Sequence, residues 1–185
     1  MDSTLPIAAQ TAPRYSRTAI ALHWLLALLI VANLALGIYM SDLSFSMTRL
    51  KLYNWHKWAG AVILALSAAR LVWRLTHRPP PAPPMPGWQR QASQATHLLL
   101  YALFFAVPLA GWAYSSAAGF PLVVFGLLPL PDWVPVDRGL ADLLKPLHKW
   151  LALSLAALVL LHVAAAMKHH FVDRDGLLGR MRPAF

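Results

Sequence analysis

Two residue types are missing altogether from this chain of 185 residues: it has no cysteine and no glutamate. Without thiols there are no disulfides, thiolate metal sites, iron–sulfur clusters or covalently attached c-type haem. The acidic residues are the seven aspartates Asp2, Asp42, Asp132, Asp137, Asp142, Asp173 and Asp175, none of them inside a long apolar run. That excludes a carboxylate-bridged di-iron bundle, a glycosidase pair and a buried carboxylate relay. Charge of either sign is scarce, at 12% of residues against 58% hydrophobic, about half the charged share of a soluble domain. Phosphate loops, nucleophile triads and nucleotide fingerprints are absent too. What the chain does have is histidine, eight in all, and long apolar runs.

Those runs predict an all-α, integral-membrane four-helix bundle forming a single domain over 1–185. Between Arg17 and Asp42 lie 24 uncharged residues, enough at about 1.5 Å per residue to cross a hydrocarbon layer of about 30 Å. The run is too long for a signal-peptide core and lacks a small-residue cleavage pattern. Spans are expected at about 18–40, 53–75, 92–114 and 146–167. Arg70 and Arg74 sit near an end of the second span and can snorkel outward. Pro108 is expected to kink the third, and Pro146 to occupy the first turn of the fourth. The proline-rich stretch 77–87 cannot be helical and reads as a linker. The stretch 115–145, with Gly119, Pro121, Pro129, Pro131 and Pro135, reads as a loop, interfacial or partly buried over Phe120–Val136.

Counting Lys and Arg gives the orientation. With both termini on one side, that side carries ten and the other six, which predicts cytoplasmic termini, a cytoplasmic proline loop and a periplasmic 115–145 loop. The net charge of +9 therefore mainly reports topology in a membrane, with lipid as the surrounding partner. Nucleic-acid binding would need a soluble basic face that the chain does not have.

The histidines form a pattern. His56-Lys57-Trp58 opens the second span and His148-Lys149-Trp150 the fourth, the same tripeptide at the same end of two helices running in the same direction. At the other end His23 lies six residues inside Arg17, and His162 six residues inside Lys168. His148 and His162 are fourteen residues apart, so they share a helix face about 21 Å apart along the axis. Four histidines on three helices thus make two facing pairs at two depths. Paired imidazoles suit a six-coordinate haem iron, and haem b needs no cysteine. Lys57, Lys149, Arg17 and interfacial Trp and Tyr groups suit its propionates. A lone histidine near a helix end is more often an interfacial group than a ligand, and His77 is read that way; matched depth and the repeated tripeptide reverse the odds for the four. His97 shares the depth of His23 and His162, so three histidines compete for two places there. His162 is preferred for its alignment with His148, and His23 because its span has no other histidine. His169 and His170 could donate hydrogen bonds to a quinone carbonyl or face headgroups. Gly37, Gly60 and Gly111 would let helices or a macrocycle come close, and the aromatics from Tyr101 to Tyr114 are read as packing and belt residues.

Several pieces resemble the bacterial cytochrome b561 family, most closely its superoxide oxidase-like members. They are Tyr15-Ser16-Arg17 with Ala21-Leu22-His23-Trp24, His56-Lys57-Trp58-Ala59-Gly60, Thr96-His97-Leu98 with Pro108-Leu109-Ala110-Gly111-Trp112, and Leu147-His148-Lys149-Trp150 with Leu161-His162 through His169-His170. The resemblance covers about residues 14–183. It implies a di-haem b cytochrome, with His23 and His162 holding the iron of the cytoplasmic-side haem and His56 and His148 that of the periplasmic-side haem. It further implies electron transfer from superoxide or another periplasmic donor to ubiquinone, an oxidoreductase activity, with His169 at the quinone. Arg49, Lys51, Lys57, Lys145 and Lys149 around the outer mouth would attract an anionic donor or contact headgroups. Two rival readings are a haem b membrane anchor serving a soluble dehydrogenase or hydrogenase, and a histidine-lined divalent-metal transporter. The second is weakened by the lack of any intramembrane carboxylate.

Overall fold

The computed structural model describes residues 14–81 and 84–183; Asp2 and two residues of the proline run lie outside them. Four long helices make up the bundle: α1 (Arg17–Ser41), α2 (Met47–Thr76), α3 (Gly87–Ala117) and α4 (Arg138–Lys168). All four are long and apolar enough to cross a membrane. Three begin with a side-chain cap that satisfies an orphan backbone N–H. Ser16 Oγ accepts from the Ala19 N–H, Ser46 Oγ from that of Arg49, and Asp137 Oδ1 from that of Leu140. These caps carry α2 and α4 well beyond their apolar runs. Pro146 accordingly lies inside α4 rather than in its first turn, because the Asp137 cap starts the helix two turns earlier. There Pro146 forgoes one helical bond, as Pro108 does inside α3.

The connection from α3 to α4 is shorter than the expected 115–145 loop, running from 118 to 137. It folds into a small antiparallel hairpin of β1 (Val123–Val124) and β2 (Leu128–Pro129). Its turn has positive φ at both Phe125 (54°) and Gly126 (72°), the backbone twist that tight hairpins favour. Trp58 on α2 holds it in place, donating its indole N–H to the Val123 carbonyl at 2.6 Å. Sequence periodicity had no chance of finding two-residue strands, which owe their position to tertiary bonds such as this one.

At the opposite end, the described N- and C-terminal segments are tied to each other. The Tyr15 N–H donates to the Arg180 carbonyl at 3.2 Å, and Trp24 Nε1 donates to the Met181 carbonyl at 2.8 Å. Arg180, 6% exposed, donates to the Pro81 carbonyl at 2.7 Å. This end of the bundle is called the terminal end below, and the other the hairpin end.

Leu26, Ile30, Ile63, Leu100 and Leu155 form the buried core, backed by Leu34, Leu66, Phe104 and Val159. Leu155 lies seven residues from both His148 and His162, about two turns from each on the same face. The core is thus an apolar layer across the middle of the bundle, with histidines above and below it. Outward positions stay apolar and exposed, such as Leu28 at 68% and Leu160 at 71%, as expected of helices whose solvent is lipid.

Candidate functional site: two histidine levels

The predicted pairs meet. At the terminal end His23 of α1 faces His162 of α4 with ring centroids 6.3 Å apart. At the hairpin end His56 of α2 faces His148 of α4 at 6.1 Å. A metal ion between two imidazoles imposes a similar figure. Metal–imidazole bonds are about 2 Å and each nitrogen lies about 1 Å from its ring centre, so trans ligands have centroids about 6 Å apart. His97 of α3 also approaches His162, but at 5.4 Å, which is short for that arrangement. The structure thus places both His23 and His97 against His162.

Local structure prepares the two imidazoles of the hairpin end. His148 Nδ1 lies 3.0 Å from the Val107 carbonyl of α3. A carbonyl only accepts, so the proton is on Nδ1 and the Nε2 lone pair is free. Such an outward hydrogen bond is the usual companion of a metal-bound histidine. Gly111, one turn beyond Val107, makes the approach possible: a Cβ there would stand 2.9 Å from His148 Cε1. Gly37 does the same for His56, whose Cε1 would be 3.0 Å from an added Cβ. Gly60 has no imidazole within 4 Å of an added Cβ. His56 Nδ1 is buried without a hydrogen-bond partner, as are Asn33 Oδ1 and Trp112 Nε1. Buried polar atoms are rarely left so, and His56 Nδ1 belongs to one of the facing pairs.

His169 is not part of either level. It opens the π-helical turn His169–Asp173 that follows α4. Its Nδ1 lies 2.6 Å from Asp175 Oδ2 and 3.3 Å from Asp173 Oδ2. Lys168 Nζ holds the Asp173 carboxylate at 2.6 Å. Burial works to raise the Asp175 carboxyl, but the Leu177 N–H and the His169 imidazole outweigh it and hold it below its ordinary range. His169, Asp173 and Asp175 are close enough to hold a metal ion, yet the Lys168 ammonium already meets that need for positive charge.

Lys57 is positioned differently from the expected anion-attracting group. Its ammonium donates to the Phe120 and Pro121 carbonyls at 3.4 and 3.1 Å and to Ser115 Oγ at 3.4 Å. It ties α2 to the hairpin instead of facing outward. Lys51, Lys145 and Lys149 remain exposed at that end. Sequence reasoning missed the Val107 carbonyl and Asn33. The only available signal was the Pro108-to-Gly111 stretch, which marks a helix surface open to close approach.

The family model described as prokaryotic cytochrome b561 matches residues 14–184. The chain belongs to that family. Cytochrome b561 homolog 2 of Escherichia coli (strain K12) is 37% identical over 173 residues, covering 92% of this chain and 92% of that protein. Cytochrome b561 homolog 1 of the same organism is 32% identical over 174 residues, covering 92% and 97%. A Yersinia pestis protein named probable superoxide oxidase CybB is 32% identical over 176 residues, covering 92% and 96%. This family member is therefore a haem b electron-transfer protein, multi-pass in the bacterial inner membrane. Membership sets aside the histidine-lined cation transporter. The residues present also fit haem b: facing imidazoles about 6 Å apart, glycines that clear the approach of His56 and His148, and, among the described residues, no carboxylate beside either pair.

Proposed function

We propose that this cytochrome holds two b haems, one between His23 and His162 and one between His56 and His148. It carries electrons from superoxide or another one-electron periplasmic donor to ubiquinone. The observation that supports this most directly is the recurrence of the 6 Å imidazole pair at both ends of α4, at 6.3 and 6.1 Å. Each haem supplies one-electron redox chemistry at its own level.

The rest is the work of the chain's own residues. Val107 fixes the tautomer of His148, and Gly37 and Gly111 leave the imidazoles room. The leucine and isoleucine layer keeps water out from between the two levels. The hairpin end faces the periplasm, in keeping with the excess of Lys and Arg at the terminal end. Exposed Lys51, Lys145 and Lys149 there raise the encounter rate with an anion in a salt-dependent way. Across the membrane His169, oriented by Asp175, offers its second ring nitrogen to a quinone carbonyl. In balance, two superoxide ions give up one electron each and leave as dioxygen, while one ubiquinone takes two electrons and two protons to become ubiquinol.

A reduced-minus-oxidised visible spectrum with a pyridine haemochrome assay on the purified protein tests the first half. Two low-spin b haems per chain are expected, and a colourless protein from haem-sufficient cells would end the proposal. Ubiquinone reduction driven by superoxide in proteoliposomes tests the second half. The Lys145→Glu/Lys149→Glu variant should be slower at low salt and converge with the unaltered protein at high salt. An equal rate at low salt removes the steering role.

A further inference from the structure

A cavity of about 450 Å³ opens at the terminal end, between the first turn of α1, the last turns of α2 and Tyr101 of α3. Arg14, Arg70, Arg74 and Arg78 all line it, and no carboxylate does. Their contacts are with neutral groups. Arg70 donates to the Tyr101 hydroxyl at 3.2 Å and to the Ala19 carbonyl at 3.3 Å. Arg14 donates to the Arg182 carbonyl at 2.6 Å, and Arg74 lies over the Tyr101 ring. The aspartates of the same end, Asp173 and Asp175, are engaged by Lys168 and His169. Among the described residues, four guanidinium groups thus share one concavity with no carboxylate of the chain against them. Arg70 lies within electrostatic reach of His23 and His162, so the carboxylates of the haem proposed at that level would meet it, and Arg14, Arg74 and Arg78 are left for another anion. Like charges gathered at a low-dielectric boundary repel, and an oxyanion able to accept several N–H bonds relieves them.

Depth selects the source of that anion. Trp73 and Tyr101 line the cavity, the first stacked on His77 at 3.6 Å and donating to Ser16 Oγ. Trp and Tyr with a polar tip occupy the headgroup layer of a membrane. In the same turns of α2, Val72 and Leu75 are 60% and 77% exposed, an apolar surface along which acyl chains can lie. Basic pockets between helices on the cytoplasmic side suit anionic headgroups.

We propose that this cavity binds the phosphate of an anionic phospholipid from the surrounding bilayer. Arg74 and Arg78 form the site, with Arg14 across the cavity from them. The bound lipid neutralises the arginine cluster and secures the junction of α1, α2 and the proline run.

Native mass spectrometry of the full-length protein as purified from membranes is the test, with titration by phosphatidylglycerol and separately by phosphatidylcholine. One basic side chain near an anionic headgroup contributes roughly fivefold. The Arg74→Gln/Arg78→Gln variant should therefore bind phosphatidylglycerol roughly 25-fold more weakly, with phosphatidylcholine unchanged. A Lys145→Gln/Lys149→Gln control at the hairpin end should keep the preference. If helical content by circular dichroism falls in the double variant, the single Arg78→Gln variant should still show a roughly fivefold loss. Equal binding of the two lipids by the unaltered protein overturns the proposal, as does displacement of phosphatidylglycerol by inorganic phosphate at matching concentration. An undiminished preference in the variants also overturns it; an accompanying change in haem absorption would then assign these arginines to the haem carboxylates.

Discussion

Replacing Gly111 by alanine places a methyl group where His148 needs space. The added carbon would lie 2.9 Å from Cε1 and 3.0 Å from Nδ1 of that imidazole, against an ordinary carbon contact of about 3.5–4.0 Å. The ring must retreat by about half an ångström or more. It is not free to do so, because Nδ1 is bonded to the Val107 carbonyl at 3.0 Å, and that bond weakens as the ring withdraws. Overpacking of this kind costs about 1–3 kcal/mol, and the lost hydrogen bond about 0.5–1.5 kcal/mol. Together they come to about 1.5–4.5 kcal/mol, or roughly 10- to 2,000-fold in affinity for the group His148 would hold. The haemochrome assay reads the result: Gly111→Ala should be purified with its hairpin-end haem largely lost and its terminal-end haem kept. Gly87→Ala, in the first turn of α3, is the control, since nothing lies within 4 Å of its added Cβ, and it should keep both haems. Full haem content in Gly111→Ala would refute the reasoning, because the position of His148 would then not depend on the room that Gly111 leaves.

The distances at the terminal end predict that His162→Ala loses one haem while His97→Ala keeps both; loss of a haem in His97→Ala would mean that the 5.4 Å approach to His162, not the 6.3 Å one, marks the ligand pair. Lys57→Met removes the donor that ties α2 to the Phe120 and Pro121 carbonyls. With hydrogen bonds from a charged group contributing about 1.5–3 kcal/mol and half-exposure discounting that, the hairpin over 118–137 should exchange its amide hydrogens several-fold faster with haem content unchanged; unaltered exchange would count against the tether. Because the Asp175 carboxyl is held below its ordinary range, its contribution to stability is present above the usual carboxylate pKa and lost as pH falls through the lowered value. The melting-temperature difference between the unaltered protein and Asp175→Asn should therefore vanish in strong acid; a difference that persists there would show that ionisation is not its source.

Composition and spacing determined much of this protein. Apolar runs as long as 18–41 have few ways to satisfy their backbone except as membrane helices, so four helices were legible from hydropathy alone. The two depths were legible as well, because helical rise is constant and a repeated His-Lys-Trp at corresponding helix ends translates directly into height. Height is not contact, however. How closely His23 and His97 each approach His162 depends on how α1 and α3 rotate and pack against α4, and side-chain packing between helices leaves no periodic trace in the sequence. The same holds for Gly111 and Gly60, equally plausible as points of close approach until the structure set one against His148 and the other with no imidazole within 4 Å of an added Cβ. Lys57 reads from sequence as a mouth residue, and only the folded hairpin supplied the carbonyls that turn it inward. The hairpin strands, at two residues each, are too short for any period to show, and the Trp58 indole bond and the Lys57 tether from α2 place them. The arginines of the terminal cavity come from separate stretches of the sequence, and only the meeting of α1 with α2 at the membrane surface gathers four like charges around one space.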